Sequence, residues 1–214
     1  MSDHRGQEAL LSSDSVLHRA SERLTHAFAG MVNEETVERV VFESYAALGR
    51  TAAVQTHLPS LAEKFARDRL TALAQSRGFI AKPVPEVLYV CVQNSGRSQM
   101  AAAITRHLSE GRVHVRSAGS QPGVGILPSV VTVLSEWGIE VAEEFPKPLT
   151  DDVVRAADAV VTMGCGDACP LYPGKRYLDW ELDDPAGLDL DAVRAVRDEV
   201  RVRVEHLLAE LVPR

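Results

Sequence analysis

The stretch VLYVCVQNSGRSQMAAAITRHL, residues 87–108, decides how the chain is read. Val87 to Cys91 is a run of strand-forming residues and reads as a buried strand. From Ser98 to Leu108 the period becomes helical, with Met100, Ile104 and Leu108 on one side. Between them stands CVQNSGRS, a Cys, five residues, then Arg and Ser. With three Cys and 19 Arg among 214 residues, chance seldom produces that pattern. A loop that leaves a buried strand and opens a helix is where oxyanions bind in open α/β sheets.

The residue types suit that task. The backbone N–H groups of Val92, Gln93, Asn94, Ser95, Gly96 and Arg97 can curl inward as an anion nest. Asn94 and Gly96 tolerate the positive φ that such a nest requires. Arg97 offers a planar fork of donors to two oxygens of a tetrahedral anion. Cys91 lies under the same positive field, which favours its thiolate, and the Ser98 hydroxyl can donate to it. Taken singly, these are a strand Cys, a surface Arg and a helix-capping Ser. The strand, Asn, Gly and helix together make the oxyanion reading the stronger.

Downstream, strands and helices continue to alternate. VHVRS (Val113 to Ser117) and AVVTM (Ala159 to Met163) read as strands. Ile139 to Val141 and KRYLDW (Lys175 to Trp180) read as shorter ones. Pro128 to Trp137 reads as a helix entered through Pro and stopped by Gly138. Thr150 reads as the cap of a short helix. Val193, Val196, Val200, Val204, Leu207 and Leu211 form the apolar stripe of a last helix. Such alternation implies a parallel sheet covered on both faces.

Two further groups carry chemistry. Displacing an oxygen from a tetrahedral oxyanion needs a proton donor. Asp183-Asp184-Pro185-Ala186, just before the last helix, supplies a candidate, although Asp-Pro is also common loop punctuation. Cys165 and Cys169 lie in TMGCGDACP, directly after a buried strand. They read as two small buried apolar residues, as a metal pair short of further ligands, or as a thiol relay.

Upstream of the linker FIAKPVPE (79–86), the sequence has helical period only. Val16, Ala20, Leu24, Ala27 and Met31 form one stripe. Val37, Val40, Val41, Ser44 and Leu48 form a second. A third begins at Pro59-Ser60, with Ser60 and Glu63 as a capping box, and carries Leu61, Phe65 and Leu73 as far as Gly78. The expected division is a three-helix bundle over 1–78, the linker over 79–86 and a catalytic domain over 87–214. His18, His26 and His57 are isolated and read as ordinary surface or packed histidines.

The net charge of −7 argues against a nucleic-acid surface and against a polybasic membrane anchor. The N-terminus lacks a signal-peptide core, and no apolar run reaches membrane-spanning length. A cytoplasmic location is expected, where thiols stay reduced unless they are working. Three cysteines suit neither a disulfide-stapled fold nor a four-cysteine zinc site, and no metal is expected.

From about residue 87 onward the chain resembles the arsenate reductases of the low-molecular-weight tyrosine phosphatase superfamily. NSGRSQMA (Asn94 to Ala101) and RSAGS (Arg116 to Ser120) carry the likeness. The resemblance implies a four-stranded parallel sheet with helices on both faces, preceded here by the small bundle. It implies that Cys91 is the nucleophile and Asp184 the general acid, with Asp183 the rival if the loop is shifted. It implies that Cys165 and Cys169 are resolving thiols, regenerated by thioredoxin, with arsenate as substrate and no bound cofactor. Their C-x3-C spacing is shorter than the family's usual one. Gly96 stands where many relatives carry a further Cys. Ala102 stands where some carry a potassium-binding Glu, so potassium is not expected. Ala186 and Gly187 stand where the phosphatase branch has tyrosines that flank an aromatic substrate. The alternatives are a phosphatase acting on phosphotyrosine or small phosphate esters, and an arsenate reductase served by a low-molecular-weight thiol. The bundle resembles the helical extension of some bacterial arsenate reductases and reads as a docking or stabilising module for an unknown partner.

Overall fold

The computed structural model describes residues 13–51, 57–164 and 169–212. The chain divides into two compact units, one up to Leu70 and one from Thr71 onward.

The first unit contains α1 (Ser13–Ala27), α2 (Glu34–Gly49) and most of α3 (Leu58–Ser76). On α1 the buried face is Leu17, Ala20, Ser21 and Leu24, so Ala20 and Leu24 of the expected set are buried while Val16 is half-buried. Ala27 is exposed and Met31 lies past the end of the helix. The expected stripe continues to Met31, beyond the end of α1, where helical period no longer sets which residues are buried. The α2 set, Val37, Val40, Val41, Ser44 and Leu48, is buried as the period requires. Asn33 caps α2 by accepting from the Thr36 N–H at 3.0 Å. The capping box at Ser60 is not formed. The helix already starts at Leu58, so Ser60 lies within it, and Glu63 pairs instead with Arg23 across the unit at 2.6 Å. Arg69, buried at 8% exposure, holds the unit together by donating to the Val40 carbonyl, Ser44 Oγ and Glu43.

The second unit is built on β1 (Glu86–Cys91), β2 (His114–Gly119), β3 (Ala159–Met163) and β4 (Arg176–Asp179), all parallel, in the order β2-β1-β3-β4. The helices α4 (Arg97–Ser109), α5 (Pro128–Ser135), α6 (Asp151–Ala156) and α7 (Leu190–Leu211) complete it. Strand period two sorts the core into two faces. Val87, Tyr89 and Cys91 pack with Met100 and Ile104 of α4, Val130 and Val133 of α5, and Val193, Val200 and Val204 of α7. Leu88 and Val90 point the other way, to Val153, Val154 and Ala156 of α6, with Val160 and Cys169. This is the expected four-stranded sheet with helices on both faces.

Three local expectations fail. Ile139 to Val141 forms no strand. Ile139 and Val141 are buried beside α5 and α4 as loop residues, so their β-branched character serves packing alone. Thr150 precedes α6 in extended conformation but makes no side-chain cap. Glu86, expected in the linker, is the first residue of β1 and wholly buried. A charge at a strand start looked like a boundary; its partner Arg116, whose Nε donates to Glu86 Oε1 at 2.5 Å, lies 30 residues away.

Parallel pairing puts every strand's carboxyl end on one rim. Cys91 is in register with Gly119 of β2 and Met163 of β3. The segment carrying the other two cysteines therefore leaves the sheet at the rim where the Cys91 loop begins.

Candidate active site

The loop from Cys91 to Arg97 is fixed through its carbonyls. Those of Cys91, Val92, Gln93 and Ser95 accept the N–H groups of Ser120, Gln121, Gly123 and Leu127, at 2.8 to 3.1 Å. The Gly96 carbonyl accepts from Met100 N–H in the first turn of α4. No peptide bond is cis. In a trans peptide the N–H opposes the carbonyl, so the N–H groups of Val92, Gln93, Asn94 and Gly96 are directed inward. The Asn94 N–H does so visibly, reaching Cys91 Sγ at 3.2 Å. The sequence supplies the loop, and a segment 29 to 32 residues downstream shapes it.

A second set of bonds fixes the orientation of the Asn94 amide. Asn94 Oδ1 accepts from the Lys147 backbone N–H at 2.8 Å and from Gln99 Nε2 at 3.1 Å. That orientation leaves Asn94 Nδ2 as donor to Ser98 Oγ, at 2.8 Å. Ser98 Oγ is 2.9 Å from Cys91 Sγ, and toward a Cys91 thiolate the hydroxyl is the only possible donor of that pair. Cys91 is 3% exposed and receives two donors, an amide and a hydroxyl. Asn94, Ser95, Ser98 and Gln99 are all buried.

Asn94 has φ 50°, as expected for the nest, but Gly96 does not share that role. Its φ is −129°, outside the left-handed region. What Gly96 provides is space. A Cβ there would lie 2.7 Å from Pro185 Cγ, so the missing side chain lets the acid loop close over the oxyanion loop. Gly119, at the end of β2, is needed for the same kind of reason. A Cβ there would come within 2.7 Å of the Val92 carbonyl and 2.9 Å of the Asn94 nitrogen.

Arg97 opens α4 and is turned toward the acid loop. It donates to the Leu182 carbonyl at 3.3 Å and pairs with Asp184 Oδ2 at 2.8 Å. Asp184 Oδ1 accepts from the Ala186 N–H, which fixes the carboxylate in its turn. Asp183 is exposed and lines an adjoining cleft of about 410 Å³ with Arg97, Gly164 and Trp180. Of the two acids, Asp184 is the one brought to Arg97. Gly164, at φ +72°, lets the chain leaving β3 pass against the Arg97 guanidinium.

Cys165 lies outside the described residues. Cys169 does not share the Cys91 face. It is 8% exposed in the core cluster with Leu88, Val90, Val153 and Val160. Ala102 is wholly buried among apolar neighbours in α4. Among the described residues no group of three or more His, Cys, Asp or Glu side chains could hold a metal ion. Nor is any described helix long and apolar enough to cross a membrane.

Sequence reasoning missed Gln99, the Lys147 backbone, the space at Gly96 and Gly119, and the carbonyl clamp from 120–127. Gln99 stands beside the motif but resembles any polar helix residue. The other contributions come from backbone or from a missing atom and leave no residue-type signal.

A parallel sheet whose first strand opens into a Cys-x5-Arg-Ser bowl, covered by an Asp-Pro loop, defines a class of enzymes that act on tetrahedral oxyanions through a thiol. The model of the low molecular weight phosphotyrosine protein phosphatase family matches residues 86–213, and the chain belongs to that family. A second model, the N-terminal domain of protein-tyrosine-phosphatase-like proteins, matches residues 17–74. Among solved structures, the Corynebacterium glutamicum thioredoxin-dependent arsenate reductase is 48% identical. That match covers 92% of this chain and 96% of the other, with a TM-score of 0.83. A Synechocystis protein named glutaredoxin arsenate reductase is 33% identical over 129 residues, 59% of this chain and 98% of its own length. Arsenate reductase 1 of Staphylococcus epidermidis is 33% identical over 123 residues, 56% of this chain and 92% of its own.

Proposed function

We propose that this protein reduces arsenate to arsenite with electrons from thioredoxin. The observation that carries the reading is Cys91 Sγ at the base of the bowl, receiving the Asn94 N–H and the Ser98 hydroxyl. Similarity to the Corynebacterium glutamicum enzyme across both units supports the choice of substrate and reductant.

The inward N–H groups of Val92, Gln93, Asn94 and Gly96 and the Arg97 guanidinium hold the oxyanion. Arg97 exchanges part of its contact with Asp184 for the substrate. The Cys91 thiolate attacks arsenic. An arsenic–oxygen bond breaks, and that oxygen leaves as water with a proton from Asp184. The Cys165 thiolate then attacks Cys91 Sγ. The sulfur–arsenic electron pair departs with arsenic, which falls from the +5 to the +3 state and leaves as arsenite. Cys169 attacks Cys165, and Cys91 leaves as a thiolate. Thioredoxin's dithiol reduces the Cys165–Cys169 disulfide. The balance is one arsenate and one dithiol converted to one arsenite, one disulfide and water.

The phosphatase alternative is not favoured. Ala186 and Gly187 follow Pro185, so no aromatic ring stands there to stack on a phenyl phosphate. Cytoplasmic location is part of the same proposal, since thioredoxin-coupled relays work in reducing compartments. The N-terminal helices are assigned to stabilisation or docking rather than to chemistry.

Incubation with arsenate, thioredoxin, thioredoxin reductase and NADPH should give arsenate-dependent NADPH loss. None with thioredoxin, but turnover with glutathione and glutaredoxin, would replace the reductant. No arsenate dependence with either donor, alongside efficient phosphotyrosine hydrolysis, would overturn the reading.

A further inference from the structure

Cys169 is both buried and tied. The residues after it run Pro170-Leu171-Tyr172-Pro173-Gly174-Lys175 before β4 begins. Tyr177 lies in β4, in register with Val160 of β3, on the face that holds Cys169. Its hydroxyl donates to the Pro170 carbonyl at 3.1 Å and accepts from the Tyr172 N–H at 2.8 Å. One oxygen thus closes a ring around Leu171, joining the residues on either side of it. Leu171 itself is 76% exposed. The clasp leaves Leu171 outside while Cys169, two residues earlier, stays within the apolar cluster.

Two further contacts support the clasp. The Arg155 guanidinium stacks over the Tyr172 ring, 4.1 Å from its centre. Lys175 Nζ donates to the carbonyls of Arg155 and Ala157 at the end of α6, at 2.5 and 2.6 Å. The segment is held at both ends against the same helix. Burial, and secondarily the negative charge of ionised Cys169, raise the Tyr177 phenol above its ordinary value. A raised phenol stays protonated and so remains a donor to the Pro170 carbonyl.

We propose that Tyr177 is a positioning residue that holds Cys169 buried on the face of the sheet opposite Cys91, and that opening its bonds to Pro170 and Tyr172 is how Cys169 becomes available to the relay. The inference rests on the three-thiol reading for its purpose but not for its geometry. A buried resolving thiol is protected from stray oxidants while the enzyme waits, because thiol reactivity requires access. Tyr177 opposes release through two hydrogen bonds, which solvent can replace once the segment opens.

The test uses the reduced full-length protein. Alkylation by iodoacetamide is followed at each cysteine by peptide mass mapping, with Cys91 as internal standard. Tyr177→Phe keeps the ring and removes the hydroxyl. It should raise the Cys169 rate about tenfold, as expected for the loss of two ordinary hydrogen bonds, and leave the Cys91 rate unchanged. Arg155→Gln, which leaves the clasp in place, should raise the Cys169 rate by a smaller factor. Single-turnover release of arsenite, which needs only Cys91 and Cys165, should be unaffected by Tyr177→Phe. A Cys169 rate within twofold of the parent in Tyr177→Phe overturns the clasp and leaves the reductase reading standing. Conversely, absence of arsenate-dependent NADPH loss in the parent overturns that reading and leaves the clasp intact.

Discussion

Cys91 and Cys169 are both buried, and they are buried in opposite ways. Cys91 lies on the α4 and α7 face with two donors aimed at its sulfur, and those donors are held by Asn94, Lys147 and Gln99. Cys169 lies on the α6 face among Leu88, Val90, Val153 and Val160, held by a clasp on its neighbours. A nucleophile that must accept an oxyanion in one geometry gains from a site in which every atom is fixed. A thiol that must travel gains from a site that can be left. The account therefore predicts that changes around Cys91 damage chemistry, whereas changes around Cys169 alter access.

Removing the two thiols separates the roles most strongly. Cys91→Ser should abolish arsenite formation in both single and multiple turnovers. Cys169→Ser should release about one arsenite per protein and then stop, as expected for a relay blocked at its second exchange. Steady-state turnover by Cys169→Ser with thioredoxin alone would erase the distinction between the two sites.

Next in size is Asn94→Ala. It forces a residue with a poor left-handed propensity to φ 50° and frees Ser98 from its donor. A fall in kcat/KM of about 100-fold is expected, the scale for losing a preorganised donor. Cys169 alkylation should not change. If it does, the two regions are not independent.

Gly96→Ala should act on the acid loop rather than the bowl. Its Cβ would meet Pro185 Cγ at 2.7 Å, displacing Asp184 while leaving the inward N–H groups in place. The expected result is a fall in kcat of about tenfold, with KM for arsenate changed less, the lower end of general-acid contributions. A rise in KM with unchanged kcat would assign Gly96 to oxyanion binding instead.

The smallest effect on activity is expected at the far end of the sheet. Burial of Glu86 opposes its charge. His114 Nδ1, 3.1 Å from Oε2, and the charge and hydrogen bond of Arg116 together outweigh that cost, so its carboxyl titrates below the ordinary range. A depressed carboxyl stabilises the fold at pH values above its ordinary value and loses that contribution as pH falls through the depressed one. Glu86→Gln should cost about 3 kcal/mol near neutral pH, because Arg116 loses a buried counter-charge. It should also flatten the acid limb of the Tm-against-pH curve, with kcat for arsenate nearly unchanged. A Tm that falls equally steeply with acid in the variant would place the acid sensitivity elsewhere.

What could be read from the sequence divides along the same line. The strand, loop and helix from 87 to 108 were legible because each local signal agreed with the fold. Cys91, Arg97 and Ser98 share one short motif, so their proximity is written into their spacing. The Asp-Pro turn was legible through Pro185, whereas the contact that brings Asp184 rather than Asp183 to Arg97 was not. The Lys147 amide, the space at Gly96 and the carbonyl clamp from 120–127 were not legible, because a backbone atom or an absent Cβ has no residue signature. Tyr177 was passed over as an ordinary strand residue. Its role depends on where its hydroxyl falls, and only the pairing of β4 with β3 determines that. Ile139 and Val141 show the reverse error, a strand-like composition explained by packing against α4 and α5.

The most direct test maps the disulfide after one equivalent of arsenate is added to the fully reduced protein, without thioredoxin. The account predicts one arsenite released, a Cys165–Cys169 disulfide and Cys91 recovered as a thiol. Arsenite released with the disulfide still on Cys91, or with no disulfide at all, would contradict it.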